Sequence, residues 1–136
     1  MHVKEAENGD RVMSGNVLIA PGDMHLTIIR SGGRYEIVLT QNEKVNGHRP
    51  SVDVMMRSVA ENVGANALGV ILTGMGNDGA AGLKAMLDAG AETFAQDEAS
   101  SVVFGMPKVA QEIGAAKKVL PLNSIAEALM NAFGVK

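Results

Sequence analysis

The chain has 136 residues, room for one domain with a real core and too few for two ordinary ones. Its net charge is −3 and its twelve basic residues are scattered, which argues against a nucleic-acid footprint; 46% hydrophobic and 20% charged residues describe a globular protein. There is no cysteine to build a disulfide or a thiolate metal site, and no apolar run approaches the roughly 20 residues that span a bilayer, so a cytoplasmic setting without membrane insertion is expected.

The first third reads as β. Val3 to Ala6 is one short strand, and Val17-Leu-Ile-Ala20 is another, closed by the turn cluster Pro21-Gly22-Asp23. Leu26-Thr-Ile-Ile29 and Glu36-Ile-Val-Leu39 flank Ser31-Gly32-Gly33, a hairpin signal. Gln41 to Arg49 is polar and loop-like.

Helix and strand alternate from there on. Ser51 can cap a helix whose stripe is Val52, Met55, Met56, Val59, Ala60 and Val63, with Gly64 as its stop. Leu68 to Thr73 is a continuous apolar run, as a strand buried on both faces should be. A second helix is expected from Gly79 to Ala89, and a strand over Glu92 to Gln96. Pro107 can open a third helix at its first position. Lys118 to Leu120 reads as the last strand. Ser124-Ile-Ala-Glu127 has the form of a capping box for a final helix carrying Leu129, Ala132 and Phe133. The sum is an α/β fold: a mostly parallel sheet with an antiparallel β-hairpin appendage.

The chemistry-bearing stretch is Leu68-Gly-Val-Ile-Leu-Thr-Gly-Met-Gly-Asn-Asp-Gly-Ala-Ala-Gly82. Apolar run, glycine turn, then helix is how an open parallel sheet builds its ligand-binding rim, and Asp78 sits in that turn. Three readings stand side by side. Glycines can serve packing alone, with Asp78 as a helix N-cap. Gly74, Gly76 and Gly79 have the spacing of a dinucleotide fingerprint, with Asp97 and Glu98 where a ribose-binding acid would stand, though Asp78 would oppose a pyrophosphate there. A carboxylate at a strand rim can also orient a catalytic histidine, if neighbouring strand ends supply serine and histidine.

His48-Arg-Pro-Ser-Val-Asp53, Gly69 to Gly82 and Ser100-Ser-Val-Val-Phe-Gly-Met-Pro107 resemble the chemotaxis protein-glutamate methylesterase family. Val3-Lys-Glu-Ala6 and Ile19-Ala-Pro-Gly-Asp23 fit the same pattern in the same order, so the likeness runs over nearly the whole chain. It implies a doubly wound α/β hydrolase that demethylates glutamate esters, and deamidates glutamines, on the cytoplasmic domain of methyl-accepting chemoreceptors. It implies a Ser-His-Asp triad with an acyl-enzyme, no cofactor and no metal. Asp78 matches the triad aspartate, and Met75 lies in the active-site vicinity.

The resemblance also implies what is lacking. The family's Ser-Thr-Gly-Gly turn and Gln-His-Met-Pro-like segment are not present. Residues 1–136 therefore read as a partial catalytic domain, about its C-terminal two-thirds, incomplete at its N-terminal side. The missing N-terminal part of the same protein, including a receiver domain, is an expected partner. The loss of a central strand predicts exposed apolar flanks on its neighbours. His2 reads as solvated, His25 as a half-buried packing residue and Ser51 as a cap, although a triad of His48, Ser51 and Asp78 can be drawn. The chain is expected to be inactive alone. The alternatives are a nucleotide-binding module on Gly74, Gly76 and Gly79, or a non-catalytic remnant that docks on receptors.

Overall fold

A computed structural model describes residues 1–134 of the chain. Among the described residues, four strands come first, and four α-helices then alternate with three more strands, with a short 3-10 turn at Gly64–Asn66. The expected hydrophobic runs become a parallel sheet of β5 (Leu68–Ile71), β6 (Glu92–Gln96) and β7 (Lys118–Leu120), in that order. The register sets Gly69 beside Thr93 and Ile71 beside Ala95. With side chains alternating between faces, that quartet shares one side of the sheet. Helix α2 (Ala80–Asp88) packs there, with α3 (Met106–Glu112) beside it. Phe94 points the other way, toward α4 (Leu122–Ala132). Helices thus cover both faces, as in doubly wound folds.

Gly69 is required by packing. A Cβ there would lie 2.6 Å from Leu83 Cδ1 and 3.0 Å from Met86 Sδ, so α2 rests directly on the strand backbone. Gly69→Val is expected to cost about 1–3 kcal/mol through overpacking. Urea unfolding of the two chains checks it, and equal midpoints would show that α2 can slide outward.

The N-terminal third forms two small sheets. Strands β1 (His2–Glu5) and β2 (Asn16–Ile19) pair in parallel, and β3 (His25–Ser31) pairs with β4 (Arg34–Thr40) in antiparallel fashion. The hairpin is longer than its apolar core predicts. Gly32 and Gly33 have φ of +57° and +80°, a two-residue turn whose twist matches that of paired strands, so pairing continues up to it.

Helix α1 (Val52–Asn62) joins the hairpin to the main sheet, packing on β3 and α2. Its polar residues close the hairpin's outer edge. Ser58 Oγ accepts from Ile28 N at 2.9 Å, and Asn62 Nδ2 donates to Ile28 O at 3.0 Å. Gly82 lets α1 and α2 touch, since a Cβ there would meet Met56 Cβ at 2.7 Å. The main core lies between them, formed by Met56, Val59, Ile71, Ala80, Leu83 and Met86.

Two expected starts shift. The Ser124 capping box does not form, because α4 begins at Leu122 behind Pro121. The Leu122 N–H is met instead by Ser100 Oγ at 3.0 Å, a donor–acceptor pair from 22 positions apart. Helix α3 starts at Met106, one residue before Pro107. Val3, Ile19 and Leu72 are exposed, and an apolar groove of about 350 Å³ opens between Ile28, Met55, Val63 and Leu68.

Candidate active site

Two helix starts face each other where β5 ends, and a carboxylate from each serves the other. Asp78 does not cap the helix that follows it. The N-cap of α2 is Gly79, at φ +100°, and it carries no side-chain bond. That left-handed turn sends the Asp78 carboxylate across to α1. Oδ2 accepts from Val52 N at 2.7 Å, while Oδ1 accepts from Ser51 Oγ at 2.8 Å and Asp53 N at 3.2 Å. Asp53 returns the arrangement: its Oδ1 accepts from Gly79 N at 3.0 Å and Gly82 N at 2.7 Å. Negative charge is favoured at a helix N-terminus, and charge-assisted bonds are the stronger kind.

A third side chain ties the pair together. Asn46 Nδ2 donates to Asp53 Oδ2 at 2.7 Å and to Asp78 Oδ1 at 3.0 Å. Asn46 stands in a left-handed turn, φ +55°, closed by mutual backbone bonds between Val45 and His48. Asp53 and Asp78 are only 4% and 5% exposed, and among the described residues no ion pair reaches either. Burial pushes the Asp78 carboxyl up. The bonds from Asn46, Val52 N–H, Ser51 and Asp53 N–H outweigh burial and hold it below the ordinary carboxylate range. Asp78 is thus ionised at neutral pH. Oδ1 carries three donors and Oδ2 one, so the second oxygen keeps acceptor capacity.

The serine and histidines of this chain do not complete a triad with it. Ser51 Oγ donates to Asp78 and also caps Val54 N, so its proton faces a carboxylate and not an imidazole. His25 is a correction to the half-buried expectation: it is 1% exposed. Its Nδ1 accepts from Ser51 N at 3.2 Å, which leaves the proton on Nε2, facing Glu43 O at 2.8 Å. Both ring nitrogens are therefore engaged in holding the loop to α1. His48 is exposed, and among the described residues no hydrogen bond joins its ring to Ser51 or Asp78.

Met75 is 83% exposed on the same turn. The turn is braced from beneath, where Gly74 O accepts from Gly105 N at 3.1 Å and Met106 N at 2.9 Å. A Cβ on Gly105 would meet Gly74 O at 2.7 Å, so the two glycine segments lie back to back. Space beside Gly74 is filled by Met106, and space beside Gly79 by Val52 and Ile71, so packing accounts for both. Asp97 is bonded to Ser100 N and Oγ. Among the described residues no group of three or more His, Asp or Glu side chains could hold a metal ion. Among the described residues no helix is long and apolar enough to cross a membrane.

Sequence reasoning did not find Asn46, Asp53 or Gly105. Asp53 carries a signal, an acid in the first turn of a helix, but that signal points to its own helix start. Asn46-Gly47 marks a turn and says nothing of what the amide reaches.

Comparison with known proteins agrees with this architecture. The CheB methylesterase family model matches residues 1–129. The protein-glutamate methylesterase/protein-glutamine glutaminase of Syntrophotalea carbinolica is 57% identical over 96% of the chain and 37% of its own length. The corresponding Anaeromyxobacter dehalogenans protein is 57% identical over 98% of the chain and 38% of its own length. The chain thus spans a little over a third of the curated relatives it matches. The crystal structure of the Thermotoga maritima CheB methylesterase catalytic domain superposes with a TM-score of 0.92 at 42% identity, covering 95% of this chain and 68% of that one. The chain belongs to the CheB methylesterase family.

Proposed function

We propose that this chain supplies the aspartate and the strand-end scaffold of a protein-glutamate methylesterase and glutamine deamidase. The observation that carries the reading is the Asp78 carboxylate: ionised, anchored through Oδ1, and with room for a further donor on Oδ2. That is what a histidine of a Ser-His-Asp triad needs from its acid. The aspartate takes the Nδ1–H of the imidazole, holds the tautomer whose Nε2 can accept the serine proton, and stabilises the imidazolium formed as the acyl-enzyme builds. It does not itself move a proton. The names of the relatives support glutamate methyl esters and glutamine amides as substrates.

The serine and the histidine come from outside residues 1–136. The partners of this reading are the cytoplasmic domain of a methyl-accepting chemoreceptor and the N-terminal part of the same protein with its receiver domain. The reaction belongs to the cytoplasm. Met75 borders the incoming side chain in this reading, which its exposure on the same turn as Asp78 supports.

Methanol release from a methylated receptor fragment tests this. The chain alone is expected to release none. A domain assembled from this chain and the part of the Thermotoga maritima catalytic domain that it does not cover is expected to release it steadily. Turnover by the chain alone would overturn the assignment, since the nucleophile would then lie within these residues.

A further inference from the structure

Two buried carboxylates stand side by side in this fold with no cation against either among the described residues. Their charges are balanced by donors alone. Most of those donors belong to the first turns of α1 and α2: Val52 N, Asp53 N and Ser51 Oγ for Asp78, and Gly79 N and Gly82 N for Asp53. Asn46 is different. It is exposed, it belongs to neither helix, and one nitrogen donates to both acids. Its left-handed backbone is one that asparagine tolerates better than most residues.

We propose that Asn46 is a positioning residue for Asp78: its amide ties Oδ1 to Asp53 and leaves Oδ2 as the oxygen that faces an imidazole. The inference rests on the reading of Asp78 as a triad acid. The physical reason is like-charge repulsion. Two carboxylates bridged by one N–H₂ group share a donor, and without it they face each other across a low-dielectric gap. One of them then rotates away or takes up a proton, and either event spoils the acceptor.

Turn closure alone would be the simpler role for Asn46, and the sign of a titration separates the two. Asn46→Gly deletes the amide while keeping φ > 0 free of strain. Asn46→Asp keeps the shape and replaces the donor by a third carboxylate. The Asp78 carboxyl carbon is followed by NMR against pH in this chain and in both variants, each first shown folded by its amide spectrum. Asn46→Gly is expected to raise the Asp78 midpoint by about one pH unit, and Asn46→Asp by more. A turn that merely loosened would admit water, relieve the burial that pushes the carboxyl up, and lower the midpoint. An unchanged or lowered midpoint in Asn46→Gly would overturn the proposal, whatever Asn46→Asp shows, because the added carboxylate raises the midpoint by its charge alone. No turnover enters this measurement, so its failure leaves the triad reading standing, and failure of the triad reading would show instead in methanol release.

Discussion

Asp78→Asn in the assembled methylesterase domain is expected to slow methanol release by about ten-thousand-fold, the size of effect that follows when a triad acid becomes an amide. An amide presents a donor where the imidazole Nδ1–H must be accepted, so the histidine turns to the tautomer that cannot take the serine proton. The same change has a second cost. Asp78 caps α1 through Val52 N and Asp53 N, and an amide can serve only part of that set. A loss of about 1–3 kcal/mol in unfolding free energy is expected from the donors left short. Urea unfolding and turnover, read on the same variant well below its melting temperature, separate the two effects. A near-normal rate would remove Asp78 from the chemistry and leave it a purely structural cap.

The pH dependence of that stability has a defined sign. The folded carboxyl of Asp78 sits below its ordinary value. A depressed carboxylate contributes stability above the unfolded pKa, about 3.9, and loses it as pH falls through the folded value. The gap in unfolding free energy between the native chain and Asp78→Asn is therefore expected to be full at neutral pH and to shrink below about pH 4. A gap that stayed constant into acid would mean that the carboxylate is no better held in the folded state than in the unfolded one.

Phe94→Ala is expected to cost about 3–5 kcal/mol, the range for removing a fully buried aromatic ring. Phe94 has no exposed surface and stands on the middle strand of the parallel sheet. Strand β6 packs against α4, and Lys118 Nζ on the neighbouring strand lies 5.8 Å from the Phe94 ring centroid. Total stabilities are about 5–15 kcal/mol, so the variant should be close to unfolding. Thermal unfolding followed by circular dichroism measures it. Val102→Ala, at a residue 90% exposed, is expected to change stability by less than about 0.5 kcal/mol and is the natural control. Equal losses at the two sites would mean that α4 does not seal the sheet.

The elements were legible because each is written locally. The stripe from Val52 to Val63 repeats at the helical period, and the helix follows it over Val52–Asn62. Ser51 caps that helix as its type and place suggest. Lys118–Leu120 and Glu92–Gln96 are strands over the residues their composition marks. The glycine turn was visible too, with its acid. Backbone geometry over four or five residues is enough to encode such features, and no distant contact is needed to read them.

The partners of those features were not legible. Asp78 looks like a cap for the helix after it, and instead it caps a helix 26 residues earlier. Pro121 displaced the Ser124 box because a serine from a distant loop met the first amide. His25 became buried because Ser51 N and Glu43 O close on its ring from two other segments. The sequence by itself determined the order of strands and helices and the family, through patterns that span single turns and long contiguous motifs. Only the tertiary structure decided which carboxylate serves which helix and how Asn46 joins them. Hydrogen bonds reach about 3 Å, and chain segments 25 or more residues apart come within that distance only once the core has set α1 against α2.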